Sequence, residues 1–148
     1  MESSDQPARV LVVANRTAAT PALIAAVKER AERGPARFTL LVPNTSSGVE
    51  RFADPEDHAE TEAQNMLELA LPLLEEATGT EVTGMVGAHD PLDAIQDAVN
   101  LHGFDEIILS TLPKRVSRWL HLDLPSKLNV LGLPVTTVTA GGRESRVA

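Results

Sequence analysis

The residues with most capacity for chemistry are concentrated in one segment: Ser110-Thr111-Leu112-Pro113-Lys114-Arg115-Val116-Ser117-Arg118-Trp119-Leu120-His121. It holds three of the thirteen basic residues and the only tryptophan. Lys114, Arg115 and Arg118, close to the start of a short helix opening at Asp123, are suited to hold a phosphate or another small anion. The same residues also suit a solvated basic loop that pairs with nearby carboxylates while Trp119 covers the edge of the core. Asp123 favours the second reading, because it already places a carboxylate at the helix amino end. A second constellation is His89-Asp90, an acid–base pair in type. Asp90 is equally well explained as a helix N-cap, and the histidine as a loop residue.

Other chemistries find no support. The chain has no cysteine, so it offers no disulfide, thiolate metal site or cysteine nucleophile. His58, His89, His102 and His121 do not fall at the HxxxH or HExxH spacing of a helical zinc site. Ser110 follows its strand without the flanking glycines of a nucleophile elbow, and neither a Walker motif nor a GxGxxG fingerprint occurs. Glu60, Glu62, Glu68, Glu75 and Glu76 read as a solvated helix face. The formal net charge of -8 disfavours nucleic acid as a partner. No apolar run approaches a membrane span and the amino terminus lacks the order of a signal peptide, so the expectation is a cytoplasmic protein.

These residues must be positioned by an alternation of short apolar runs and helical patterns. Arg9 to Ala14 is nearly continuous in apolar residues, as a central strand covered on both faces requires. Thr20-Pro21 predicts an N-cap and first helical turn, with Leu23, Ile24, Val27 and Ala31 inward and Gly34 as the stop. Phe38 to Val42 is the second strand. Asp54-Pro55 opens a long helix to about Ala77, with Ala63, Met66, Leu67, Ala70 and Leu74 buried and a kink or break expected at Pro72. Glu81 to Val86, Glu106 to Ser110 and Val135 to Thr139 are the remaining strands. Asp90 caps the helix between the third and fourth.

The order β-α-β-α-β-α-β-α-β predicts an α/β fold with an open, doubly wound, parallel five-stranded sheet. One domain spans 9–140, flanked by a polar amino-terminal tail, 1–8, and a polar carboxy-terminal tail, 141–148. In such a sheet ligands bind beyond the carboxyl ends of the strands, where the winding direction reverses. The candidate site residues are therefore Asn15, Arg16, Thr17, His89, Asp90, Ser110, Lys114, Arg115 and Arg118.

Several segments resemble the universal stress protein family. RVLVVANRTAAT is similar to its opening strand and turn, GAHDPLDAIQDAV to its GDPAEAIL segment, FDEIILS to its ADLIVMG strand and LGLPVTTV to its closing APCPVLVV. The resemblance covers roughly Arg9 to Ala140. It implies a five-stranded parallel sheet, a stress-response role without catalysis, and a homodimer through the last strand, here Val135, Thr136, Thr137, Val138 and Thr139. ATP-binding members carry Gly, two residues, Gly, nine residues, then Gly and Ser or Thr; this chain has Ser110, Pro113, Asp123 and Leu124 there. Asn15 replaces the usual Asp and Arg16 the following Gly. Proline donates no N–H and Asp123 adds negative charge, so ATP in the family's usual manner is not expected and no cofactor is assigned. Such a module would act by binding an unidentified protein partner or a small anionic ligand; the alternatives are an adenine-nucleotide sensor on a changed loop and a small hydrolase using His89 or Asp90.

Overall fold

The computed structural model describes residues 7–15, 17–43, 55–87, 90–112, 118–121, 123–139 and 143–146. The apolar run after Pro7 becomes β1, Ala8–Val13, flanked by β2, Ala36–Pro43, and β4, Glu106–Thr111. β3, Val82–Gly87, lies outside β2, and β5, Val135–Thr139, outside β4. The strand order is β3-β2-β1-β4-β5-β6, and the first five strands pair in parallel. This is the doubly wound α/β sheet expected from the sequence. β5 has the expected bounds, and the ends of the other four strands lie within two residues of the expected ones.

Strand alternation divides the core in two. Val10, Val12, Leu40, Val42 and Ile108 face α1, Pro21–Arg33, and α2, Pro55–Thr78, through Leu23, Val27, Ala63, Leu67, Ala70 and Leu74. Leu11, Val13, Leu41, Ile107 and Leu109 face α3, Pro91–His102, and α5, Leu124–Asn129, through Ala94, Ile95, Ala98, Leu124 and Leu128. α4, Arg118–His121, is a single turn whose Trp119 packs against the second layer. No described helix is long and apolar enough to cross a membrane.

Four local expectations need correction. Thr20 occupies the N-cap position of α1 but makes no cap hydrogen bond; its hydroxyl donates back to the Thr17 carbonyl at 2.8 Å, which closes the turn instead. Of the kink or break expected at Pro72, the break does not occur: α2 runs through it as one helix. Asp123 precedes α5 in the left-handed region, φ 60° and ψ 40°, where a side chain does not reach the N2 and N3 amides, and it makes no cap bond. The fourth correction concerns the carboxy terminus. The segment read as a polar tail contains β6, Arg143–Arg146, which pairs antiparallel with β5. The outer edge of Val135–Thr139, expected to be exposed and free for a dimer contact, is therefore paired within the chain; Val135, Thr137 and Val138 are buried.

Candidate functional site

The winding direction reverses between β1 and β4, because the chain moves from β1 to β2 and β3 on one side and then returns to place β4 on the other. The carboxyl ends of these two strands are Val13 and Thr111. The turn after β1 is built tightly. Ala14 N–H donates to the Leu41 carbonyl at 3.2 Å, Ala18 N–H to the Asn15 carbonyl at 3.2 Å, and Thr20 N–H to the Thr17 carbonyl at 3.2 Å.

Two side chains fasten this turn to the neighbouring strands. Asn15 Nδ2 donates to the Pro43 carbonyl at 3.4 Å, reaching the end of β2. Thr17 Oγ1 and Ser110 Oγ share a hydrogen bond of 2.6 Å, reaching the end of β4 across 93 residues of sequence. Both hydroxyls are buried, at 3% and 1% exposure. The sequence placed Asn15, Thr17 and Ser110 in the site, and the structure brings them together around one turn.

The hydroxyl pair is uncharged. Either oxygen can donate, and the pair keeps further acceptor capacity. Neither Asn15 nor any other described residue at the ends of β1 and β4 is a base that would activate Ser110 as a nucleophile. Thr111, which sequence reasoning did not single out, alternates onto the opposite face of β4. Its hydroxyl is buried and has no hydrogen-bond partner, as is that of Thr137 on β5. Only the strand pairing of β4 with β5 reveals that these two lie on one face.

Asp90 is elsewhere and otherwise engaged. Its Oδ1 accepts from Leu92 N–H at 2.8 Å and Asp93 N–H at 3.3 Å, the N-cap of α3. Beside it, Gly87 ends β3 where an added Cβ would sit 2.7 Å from Ala94 Cβ and 2.8 Å from Leu41 Cδ1. Arg16, His89, Lys114 and Arg115 lie outside the described residues, and Arg118 is described only as the first residue of α4. Among the described residues no three histidine, aspartate or glutamate side chains converge as a metal site would require. A cavity of about 320 Å³ lies at the opposite end of the strands, lined by Pro7, Ala31, Phe38 and Thr78 among others, with Arg37 as its charged group. It is remote from the reversal point.

Neither a protein-family model nor a curated protein matches the chain by sequence. Solved structures do match it. A universal stress protein from Archaeoglobus fulgidus superposes with a TM-score of 0.64 at 16% identity, covering 88% of this chain and 93% of that one. The chain has the universal stress protein fold. A universal stress protein family member from Arabidopsis thaliana, solved with AMP bound, gives 0.63 at 18% identity over 91% and 93% of the two chains. The Archaeoglobus fulgidus protein in complex with dAMP gives 0.61 at 14% identity over 90% and 98%. The resemblance read from the sequence is thus borne out in the fold, over nearly all of the chain. In this fold the turn after β1 and the end of β4 stand side by side, and here Thr17 and Ser110 join them.

Proposed function

We propose that this chain is a universal stress protein-like module that works by binding, without catalysis, and that it does not hold ATP in the manner of the glycine-bearing members. The observation that carries this reading is the Thr17–Ser110 pair. Ser110 stands where the resemblance expects the first phosphate-loop glycine. A glycine there exposes backbone amides to a phosphate. Ser110 instead fills the position with a side chain committed to the β1 turn at 2.6 Å. Pro113 and Asp123 act in the same direction, by removing a donor and by adding charge. The ligand left to such a site is a small polar or anionic molecule, or a segment of a protein partner. A stress-response role in the cytoplasm follows from the same likeness, and self-association through β5 would require β6 to leave its edge.

A second reading is an adenine-nucleotide sensor. The bound AMP and dAMP of the two structural neighbours favour it, because a monophosphate needs fewer loop amides than a triphosphate. Melting the protein with and without millimolar ATP, ADP, AMP, dAMP and cyclic AMP separates the two. A nucleotide at about 100 times its Kd adds roughly 2.7 kcal/mol. For a domain of this size that raises Tm by about 5–10 °C. The first reading expects no shift with ATP; a rise of this size with AMP or dAMP alone establishes the second.

A further inference from the structure

α2 buries Ala63, Leu67, Ala70 and Leu74 against the sheet. On its solvent side Glu62, Asn65, Leu69, Pro72, Leu73 and Glu76 are exposed. They follow one another at steps of three and four residues, so they form one continuous stripe along the helix. Leu69 and Leu73 stand one turn apart at 57% and 37% exposure and join neither layer of the core. Four large apolar side chains are exposed among the described residues, and two of them sit together at the centre of this stripe. A lone exposed leucine is ordinary, whereas adjacent ones rimmed by polar groups mark an interaction surface.

The rim has a single sign. α2 contains no lysine or arginine. Glu62 and Glu76 bracket the leucines, about 21 Å apart along the axis, and Glu68 lies beside them. Among the described residues none of the three takes part in an ion pair. Glu75, by contrast, is committed, since its Oε2 accepts Val82 N–H at 3.1 Å. A carboxylate in the last turn also opposes the helix dipole, an unfavourable arrangement that a cation placed there relieves. Pro72 adds an acceptor. Having no N–H, it leaves the Glu68 carbonyl without its usual helical donor on the exposed side of the helix.

These charges select the occupant. A second copy of this chain laid on the stripe about a two-fold axis would set carboxylate against carboxylate, whichever way the two helices ran. Nucleic acid and anionic lipid meet the same repulsion. An apolar centre with acidic ends fits a helix of the inverse pattern, apolar in the middle and basic at both ends. We propose that the exposed stripe of α2 is a docking surface for a basic amphipathic helix of a protein partner. Leu69, Pro72 and Leu73 receive its apolar residues, and Glu62, Glu68 and Glu76 its lysines or arginines. The surface uses none of the residues at the strand ends, so it stands or falls separately from a ligand site there.

The test uses the full-length 15N-labelled chain and a synthetic probe, a helical peptide of about 20 residues with leucines at the centre and lysines at both ends of one face. Saturable shifts are expected in the α2 amides between Glu62 and Glu76, with those of Asn15, Thr17 and Ser110 unmoved. Leu69→Ser with Leu73→Ser changes two exposed side chains, so the far-ultraviolet circular dichroism is kept while Kd rises at least about tenfold. Glu62→Lys with Glu76→Lys reverses the preference, so that a probe with glutamates in place of its lysines binds more tightly than the lysine probe. Three results would each overturn the proposal: no saturation at millimolar concentration of a probe shown to be helical, shifts that spread equally to the acidic residues of α3, or a serine variant that binds as tightly as the wild type. Wild-type dimers that the serine variant abolishes would do the same, because the occupant would then be a second copy.

Discussion

The two ends of the central strands are held by different chemistry. Where the strands begin, charged groups tie elements together. Arg30 on α1 grips Glu106 at the start of β4 through two hydrogen bonds of 2.9 Å, with both side chains largely buried at 12% and 22% exposure. Arg9 on β1 meets Asp105 at 3.8 Å, although each is about half exposed at 52% and 51%. Where the strands finish, uncharged contacts join the strand ends: the Thr17–Ser110 hydroxyl pair, the Asn15 amide on the Pro43 carbonyl, and the close approach of Gly87 to Ala94, while the Asp90 carboxylate is spent on the cap of α3. The difference teaches that charged pairs join the elements at the amino ends, while the groups that join the described residues at the carboxyl ends, where this fold has its reversal point, are small and polar.

The largest expected effect lies at the charged end. Glu106→Ala leaves the Arg30 guanidinium poorly solvated and unpaired, and urea unfolding should register a loss of about 2–3 kcal/mol. A cost no greater than that of an exposed pair would erase the contrast. At the neutral end, Gly87→Ala forces a methyl into the space of Ala94 and Leu41. A loss of about 2 kcal/mol is expected from the same measurement, followed by the fluorescence of Trp119.

Ser110→Ala removes one half of the hydroxyl pair and leaves Thr17 buried without a partner, costing about 1–2 kcal/mol. Adding Thr17→Val should cost little more, since both polar groups are then gone; a double-mutant cycle should return a coupling of about 1 kcal/mol. Strict additivity would mean that the two hydroxyls do not support each other. The smallest effect belongs to Asp105→Asn. The replacement keeps an acceptor for the Arg9 N–H now bonded at 2.8 Å. Only a half-exposed ion pair is lost, worth less than about 0.5 kcal/mol and shrinking further as salt is raised.

Much of the frame was readable from the residues themselves. RVLVVA reads as a strand covered on both faces, and the Ala63, Leu67, Ala70, Leu74 stripe by itself sets the inward side of α2. Asp90 worked as the N-cap because its neighbours Pro91 and Asp93 fit a first helical turn. β6 was hidden for the opposite reason: Arg-Glu-Ser-Arg has no alternation and little strand preference, and its pairing depends on an edge of β5 that only the sheet order supplies. Thr20 departs from the N-cap its position predicts because its hydroxyl serves the preceding turn instead.

The site was legible as a list of strand ends but not as an arrangement. Nothing local to Thr17 or Ser110 says that they will meet, since their contact requires β4 to be laid beside β1 after β2 and β3 have been placed. The unpartnered hydroxyl of Thr111 is likewise a product of strand direction and burial. Composition could name polar residues at strand ends; only topology could say which of them face each other.

We propose that the Thr17–Ser110 pair keeps the carboxyl end of this fold from holding ATP in the manner of the glycine-bearing members. A titration of the 15N-labelled protein with ATP, followed through the backbone amides of Asn15, Thr17, Ser110 and Thr111, tests it most directly. The account predicts that these four amides keep their positions as ATP reaches millimolar concentration. Saturable displacement of all four would contradict it.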